Sequence, residues 1–124
     1  MSGPPFAATA EAIEALWAGD VGDLVAHLAE DVLWWEIGRN EPVCGRAEVA
    51  RHLQRTREVA VAAEVHDVLA NDEHIVTLIH ASAARGGQTF SFSFAEVYHI
   101  DGRGQITKRQ AFAPDTPTIV DYFE

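Results

Sequence analysis

The sequence predicts a single α+β domain in which helices come first and a curved antiparallel sheet then encloses an apolar pocket. In the N-terminal part, apolar residues recur at the three- and four-residue spacing of helices that bury one face. From about residue 61 onward, β-branched and aromatic segments alternate with short polar turns, a pattern typical of antiparallel hairpins. A length of 124 residues is usual for one domain, so we expect one domain over residues 1–124.

Three helices are predicted before the long strands. The first ends at Gly19 and buries an apolar face made of Ala10, Ile13, Leu16 and Trp17. Asp20 is a favourable N-cap for a second, short helix, whose apolar stripe is Val21, Leu24, Val25 and Leu28. The third helix starts after Gly45 and runs to about Glu58, with Val49 and Leu53 facing inward. Its solvated outer face is formed by Arg46, Arg51, Arg55 and Arg57.

Five strands are predicted. The first, Val32 to Ile37, is β-branched and aromatic and ends in a glycine-containing loop. The others follow the third helix and are Val61 to Ala70, His74 to Ala84, Thr89 to Ile100 and Ile106 to Ala113. Because short polar turns connect these four strands, we expect a meander sheet. We expect the partly apolar tail, Asp115 to Glu124, to dock on the body of the domain or on a partner.

The charge and the cysteine content exclude several classes of function. A formal net charge of −10 repels phosphate backbones and anionic lipids, so we expect neither nucleic acid nor a membrane as a partner. Cys44 is the only cysteine and has no intramolecular disulfide partner. No basic N-terminal region precedes an apolar one, and no apolar run reaches the roughly 18 residues of a membrane span. These features indicate a cytoplasmic protein.

Glu96 interrupts an aromatic stripe in the fourth predicted strand. Strand alternation places it on one face with Phe90, Phe92, Phe94, Tyr98 and Ile100. Apolar surroundings disfavour the charged form of a carboxyl group, so we expect a neutral carboxylic acid that donates a hydrogen bond. The alternative is that Glu96 lies at a fraying strand end, or that a tyrosine or an arginine satisfies it.

Glu36 shows a weaker version of the same pattern. It shares a face with Val32 and Trp34, but it lies at the end of the predicted strand, just before the loop. One interpretation is a general base at the mouth of the pocket. The other is an ordinary solvated glutamate at the rim, and the residues alone leave both open.

Two stretches of the sequence carry a family resemblance. The first is Ala15-Leu16-Trp17-Ala18-Gly19-Asp20, continued by Leu28-Ala29-Glu30-Asp31 and by Trp34-Trp35-Glu36 as far as Gly45, and the second is Glu96-Val97-Tyr98-His99-Ile100-Asp101-Gly102. Both resemble ketosteroid isomerases, and with them the SnoaL-like members of the nuclear transport factor 2-like superfamily. The resemblance covers nearly the whole chain. It implies a cone-shaped fold, in which three N-terminal helices pack on a strongly curved, mainly antiparallel sheet.

The resemblance also implies roles for the two acids. Glu36 falls where the isomerases keep the aspartate that shuttles a proton, and Glu96 falls where they keep a protonated aspartic acid in the oxyanion hole. The tyrosine of that oxyanion hole is replaced by Ala12, and a supporting tyrosine by Leu53. Loss of one such donor typically lowers the rate by ~100- to 1000-fold. Tyr98 is a candidate replacement, and the alternative is that it packs in the core.

Aromatic and aliphatic side chains are expected to line the pocket. The candidates for substrate binding are Leu16, Trp17, Trp34, Phe92, Phe94 and Tyr98, and for the two tryptophans a plain core role is an equal alternative. The six histidines lack a metal-binding spacing such as HExxH, so we expect no metal and no cofactor. The face to which His80 points stays open, because a one-residue change in the turn near Gly86 reverses it.

Two functions fit these observations. The first is a cofactor-free isomerase, cyclase, dehydratase or hydrolase for a small apolar, carbonyl-bearing or cyclic substrate, with Glu36 moving a proton and Glu96 stabilising oxyanion charge. The second is a non-catalytic module that binds a ligand in the pocket or a partner on the outer sheet face. The resemblance further implies a homodimer through that face, on which we expect Ser91, Ser93, Ala95 and Val97.

Overall fold

The computed structural model describes residues 4–56, 61–85 and 87–123. Its helices are α1 (Pro5–Trp17), α2 (Gly22–Ala26), α3 (Arg46–Thr56) and α4 (Thr116–Phe123). Its strands are β1 (Leu28–Trp34), β2 (Val43–Cys44), β3 (Val61–Ala70), β4 (His74–Arg85), β5 (Gln88–Ile100) and β6 (Ile106–Phe112). None of the helices in these ranges is long and apolar enough to cross a membrane.

The six strands form one curved, unclosed sheet in the order β2-β1-β6-β5-β4-β3. The four long strands are consecutive antiparallel neighbours, as the short turns between them predict. β1 joins the far side of β6 in parallel, so the sheet is mainly but not wholly antiparallel. The predicted α+β fold, with helices packed on a curved sheet, is confirmed.

The first strand lies earlier in the chain than predicted. It runs over Leu28–Trp34 rather than Val32 to Ile37, because Leu28 already pairs with Ile106 of β6. The chain leaves the sheet after Trp34 and turns at Gly38, whose φ of 73° favours glycine. A Cβ atom at Gly38 would also lie 2.6 Å from Val120 of α4, so the loop and this helix are in close contact.

Other local differences have simple causes. The tail docks on the body as helix α4, with Ile119 buried, and the short strand β2 was not foreseen.

Val21 rather than Asp20 is the N-cap of α2, although the Asp20 carboxylate accepts a hydrogen bond from the Gly22 N–H at 3.1 Å. Arg46 does not face solvent as predicted, because its guanidinium donates two hydrogen bonds to the Leu28 carbonyl. The predicted end of α3 near Glu58, Arg57 on its outer face and the Gly86 turn lie outside the described residues.

The two faces of the sheet differ in burial. The inner face packs against the N-terminal helices, and the fully buried side chains there include Ile13, Leu24, Val49, Ile75 and Tyr98. On the outer face, Leu78 of β4, Ala95 of β5 and Phe112 of β6 are neighbours in one row across three strands. His80 also points outward, since its side chain is exposed and its ring contacts the hydroxyl of Ser93.

Candidate active site

A cavity of about 690 Å³ lies between the inner face of the sheet and helices α1, α3 and α4. This volume is in the range of small-molecule sites. The described residues that line it are Leu16, Trp17, Gly19, Trp34, Glu36, Ile37, Arg39, His52, Leu53, Arg55, Thr56, Ala63, Ala81, Phe92, Phe94, Arg109, Ile119 and Val120. Most of the wall is therefore apolar, and a few charged groups converge on it.

Glu96 lies behind this wall and accepts hydrogen bonds at both carboxylate oxygens. It is fully buried on the inner face of β5. Oε1 accepts from the Trp17 indole N–H and the Thr77 hydroxyl, each at 2.9 Å. Oε2 accepts from the Tyr98 hydroxyl at 2.7 Å and from Nε and Nη2 of Arg109 at 2.9 and 2.7 Å. A carboxyl group that faces a guanidinium and three further donors acts as a buried hydrogen-bond acceptor.

Arg109 connects this buried acid to the cavity. Strand alternation places it on the inner face of β6, where it is only 3% exposed, and its guanidinium lies 4.7 Å from the centre of the Trp34 ring. Nη1 donates to Oε1 of Glu36 at 2.7 Å and to the Trp35 carbonyl at 3.0 Å. Burial alone would lower the pKa of Arg109, but attraction to Glu36 and Glu96 outweighs it and raises the pKa, so the guanidinium stays charged.

Glu36 reaches the cavity from the loop after β1. Its Oε2 lies 2.5 Å from Nε2 of His52 on α3, while Arg109 occupies Oε1. Burial alone would raise the pKa of Glu36, but the charge of Arg109 and the hydrogen bonds from His52 and Arg109 outweigh it and lower the pKa to about 2. The cavity wall therefore carries a carboxylate that is ionised at any physiological pH.

The structure brings together most of the predicted pocket residues. Leu16, Trp17, Trp34, Phe92 and Phe94 line the cavity, as does Glu36. Tyr98 does not, because it is buried beneath Trp34 and its hydroxyl is directed at Glu96. Burial and the charge of Glu96 raise its pKa, so this phenol stays protonated as a donor.

The structure places Glu96 behind the cavity wall, where it is fully buried and does not line the cavity, so it does not face a substrate as the sequence predicted. Tyr98 and Arg109 donate hydrogen bonds to its carboxylate, which is the alternative that the sequence left open. Its ion-pair partner, Arg109, lies on the neighbouring strand β6, so the residue pattern of β5 alone does not reveal it. Glu96 thus holds Arg109 in place instead of facing a ligand.

Two site residues were missed at the level of sequence. Arg109 stands at an inward position of a strand whose other buried residues are Ile106 and Ala111, and an arginine in the middle of a buried stripe was an available signal. His52 lies three residues after Val49 and next to Leu53, on the inward face of α3. Among the described residues, no three histidine, cysteine or acidic side chains lie together as a metal site would require.

The comparisons with known proteins agree with this architecture. The sequence profile of the SnoaL-like domain matches residues 9–109. No curated protein matches the sequence at a significant level. Many solved structures share the fold, and an NTF2-like protein of unknown function from Cytophaga hutchinsonii has a TM-score of 0.74 at 17% identity, covering 86% of this chain and 96% of its own.

Two further structures are described as enzymes. The epoxide hydrolase/cyclase-like enzyme SalBIII, described in pyran ring formation in the polyether salinomycin, has a TM-score of 0.73 at 16% identity, covering 88% of this chain and 89% of its own. An LEH-like epoxide hydrolase from M. tuberculosis has a TM-score of 0.73 at 22% identity, covering 97% of this chain and 90% of its own. At these identities the likeness shows the fold.

Proposed function

The chain belongs to the SnoaL-like domain family of the NTF2-like superfamily, and we propose that it is a hydrolase- or cyclase-type enzyme. The proposed reaction is the addition of a hydroxyl oxygen to a small, largely apolar epoxide. The hydroxyl belongs to water in the hydrolase case and to the substrate itself in the cyclase case.

The observation that supports this proposal most is the fixed carboxylate of Glu36 at the wall of an apolar cavity. Arg109 holds one oxygen and His52 contacts the other, so the carboxylate and the imidazole are positioned as an acid–base pair before a substrate arrives. Aromatic side chains of Trp17, Phe92 and Phe94 provide the apolar surface for the body of the substrate. A hydroxyl bound beside this group can transfer its proton to the protein as its oxygen attacks.

Two arguments support an epoxide as the substrate: the chemistry of epoxide opening, and the descriptions of two compared structures as epoxide hydrolase-type enzymes. In epoxide opening, the attacking oxygen forms a bond to carbon while the ring C–O bond breaks. The ring oxygen keeps the electron pair and takes up a proton, so that water and epoxide give a diol. This reaction needs a proton acceptor and a proton donor in an apolar cavity, and two neighbours of 16% and 22% identity are described as acting in such chemistry.

The test is turnover of a defined set of epoxides by the purified protein. Styrene oxide, cyclohexene oxide and an epoxy-alcohol able to close to a pyran ring are incubated in water labelled with heavy oxygen, and products are identified by mass spectrometry. We expect a labelled diol or a cyclic ether, and we expect Glu36→Gln to lower kcat/KM by about 100-fold or more. Glu41→Gln, in the exposed loop, is the matched control. Products that form equally without protein, or equally with Glu36→Gln, refute the proposal.

A non-catalytic binding module is the second candidate. The pKa of about 2 at Glu36 favours it, because such a carboxylate is a weak base at neutral pH. The same compounds distinguish the two functions. If the protein is a binding module, the added epoxides quench the fluorescence of Trp17 and Trp34 in the cavity wall, and no product forms.

For the assembly, we propose a homodimer formed through the outer face of the sheet. Leu78 and Phe112 are 42% and 55% exposed there and flank Ala95 in one row. Ser91, Ser93 and Val97 continue the same face with small or apolar side chains. An apolar row across three strands loses its contact with water when a second copy covers it.

A further inference from the structure

We propose that His52 is the catalytic residue that takes and returns the proton, and that Glu36 is the positioning residue that orients its ring. This inference rests on the proposed function and reverses the role that the sequence suggested for Glu36. It is based on the hydrogen bonds of the two side chains and on the position of His52 in the cavity wall.

The contact between the two side chains fixes the tautomer of the imidazole. Glu36 is ionised and offers only acceptor oxygens, so the Nε2 atom of His52, 2.5 Å from Oε2, carries the hydrogen. In a neutral imidazole the other nitrogen, Nδ1, then holds the free lone pair. A carboxylate that orients an imidazole in this way also stabilises the imidazolium formed after proton uptake.

The Nδ1 atom is accessible. His52 lines the cavity, and its side chain is 17% exposed. Among the described residues no group hydrogen-bonds to Nδ1, and this atom is not one of the buried polar atoms left without a partner. A water molecule or a substrate hydroxyl in the cavity can therefore approach it.

Glu36 is less suited to be the base itself. Its oxygens already accept from Arg109 and His52, and its pKa of about 2 makes it a weak proton acceptor near neutral pH. Histidine is the side chain whose ordinary titration range spans neutral pH, which suits a general base.

Glu36 is the charged group in direct contact with the His52 ring. Of the other charged residues around the cavity, Arg55 lies one turn further along α3 and Arg39 lies in the loop after β1. Both of these side chains are exposed, so solvent screens their charges.

The proton can be followed through the complete reaction. Nδ1 accepts a proton from the attacking hydroxyl as its oxygen forms the bond to the epoxide carbon. The ring C–O bond breaks, and its electron pair remains on the departing oxygen. The imidazolium then returns the proton to that alkoxide, directly or through water, and His52 is neutral again. The sum is the addition of one hydroxyl to one epoxide, with no other reactant.

The first experiment compares His52→Gln with His66→Gln, an exposed histidine on β3. A glutamine amide still donates to Glu36 but takes no proton. We expect kcat/KM to fall by about 100-fold or more in His52→Gln alone, and we expect the pH dependence of kcat/KM to differ from that of the wild type. We also expect added imidazole to restore part of the activity of His52→Ala, which a purely structural role would not permit. Unchanged kcat/KM and an unchanged pH profile in His52→Gln overturn the inference while the proposed function stands.

The second measurement needs no substrate. Long-range proton–nitrogen NMR spectra of the wild type report which ring nitrogen of His52 is protonated. We expect the Nε2–H tautomer near neutral pH and a more mixed population in Glu36→Gln. A Nδ1–H tautomer in the wild type overturns the inference whether or not epoxides react. The Nε2–H tautomer in a protein that converts no epoxide refutes the proposed function and leaves the dyad as a ligand-binding element.

Discussion

Replacing Glu36 with glutamine should lower stability at neutral pH and have little effect in acid. The folded protein holds the pKa of Glu36 at about 2, mainly because Arg109 and His52 outweigh the effect of burial. In the unfolded chain the pKa returns to an ordinary 4.5. The ionised side chain therefore stabilises the fold above about pH 4.5, and this contribution is lost as the pH falls toward 2.

The size of the effect follows from that difference in pKa. A fall from 4.5 to about 2 corresponds to about 3.4 kcal/mol of folding free energy at neutral pH. Solvent screens part of this electrostatic stabilisation, because the Glu36 side chain is 31% exposed. We therefore expect Glu36→Gln to lower the free energy of unfolding by about 1–2 kcal/mol at neutral pH. The same linkage leaves less than half of the contribution at about pH 3.

Urea unfolding followed by tryptophan fluorescence measures the prediction. The free energy of unfolding is determined for the wild type and for Glu36→Gln at several values between about pH 3 and pH 7, and the difference is plotted against pH. We expect the difference to close as the pH falls. Glu41→Gln, exposed and outside the network, should differ little from the wild type at any pH. A difference for Glu36→Gln that is constant with pH, or that grows in acid, would show that Arg109 and His52 do not hold this carboxylate as described.

Two further substitutions test the buried network and the assembly. Glu96→Gln should lower the free energy of unfolding by about 3–5 kcal/mol in denaturant titrations, because it leaves the buried Arg109 guanidinium partly uncompensated and places an amide N–H against other donors. The control Glu73→Gln, at an exposed position, should have almost no effect. Equal stabilities of Glu96→Gln and the wild type would contradict the hydrogen-bond network around Glu96. Phe112→Asp, on the outer face, should convert a dimer into a monomer in analytical ultracentrifugation with little change in kcat/KM, whereas a wild-type protein that sediments only as a monomer excludes the proposed dimer.

Local sequence patterns predicted the elements of the fold well. The bounds of β3 are those predicted, and β4, β5 and β6 differ from prediction by one residue at one end, since alternation and polar turns are local signals. The first strand was placed too late, because its pairing with Ile106 joins residues far apart in the chain. Helix α4 was not foreseen, and its position against Gly38 is likewise a tertiary contact.

The sequence by itself determined that Glu96 shares the inner face of its strand with Phe94 and Tyr98, and that Glu36 stands where the first strand gives way to a loop, because side-chain direction in a strand has a period of two. Only the tertiary structure decided which side chains contact these two carboxyl groups. The register of β6 against β5 brings Arg109 between them, and the packing of α3 places His52 on Glu36. The environment of a carboxylate depends on such long-range partners, so its charge and its role followed from the assembled fold.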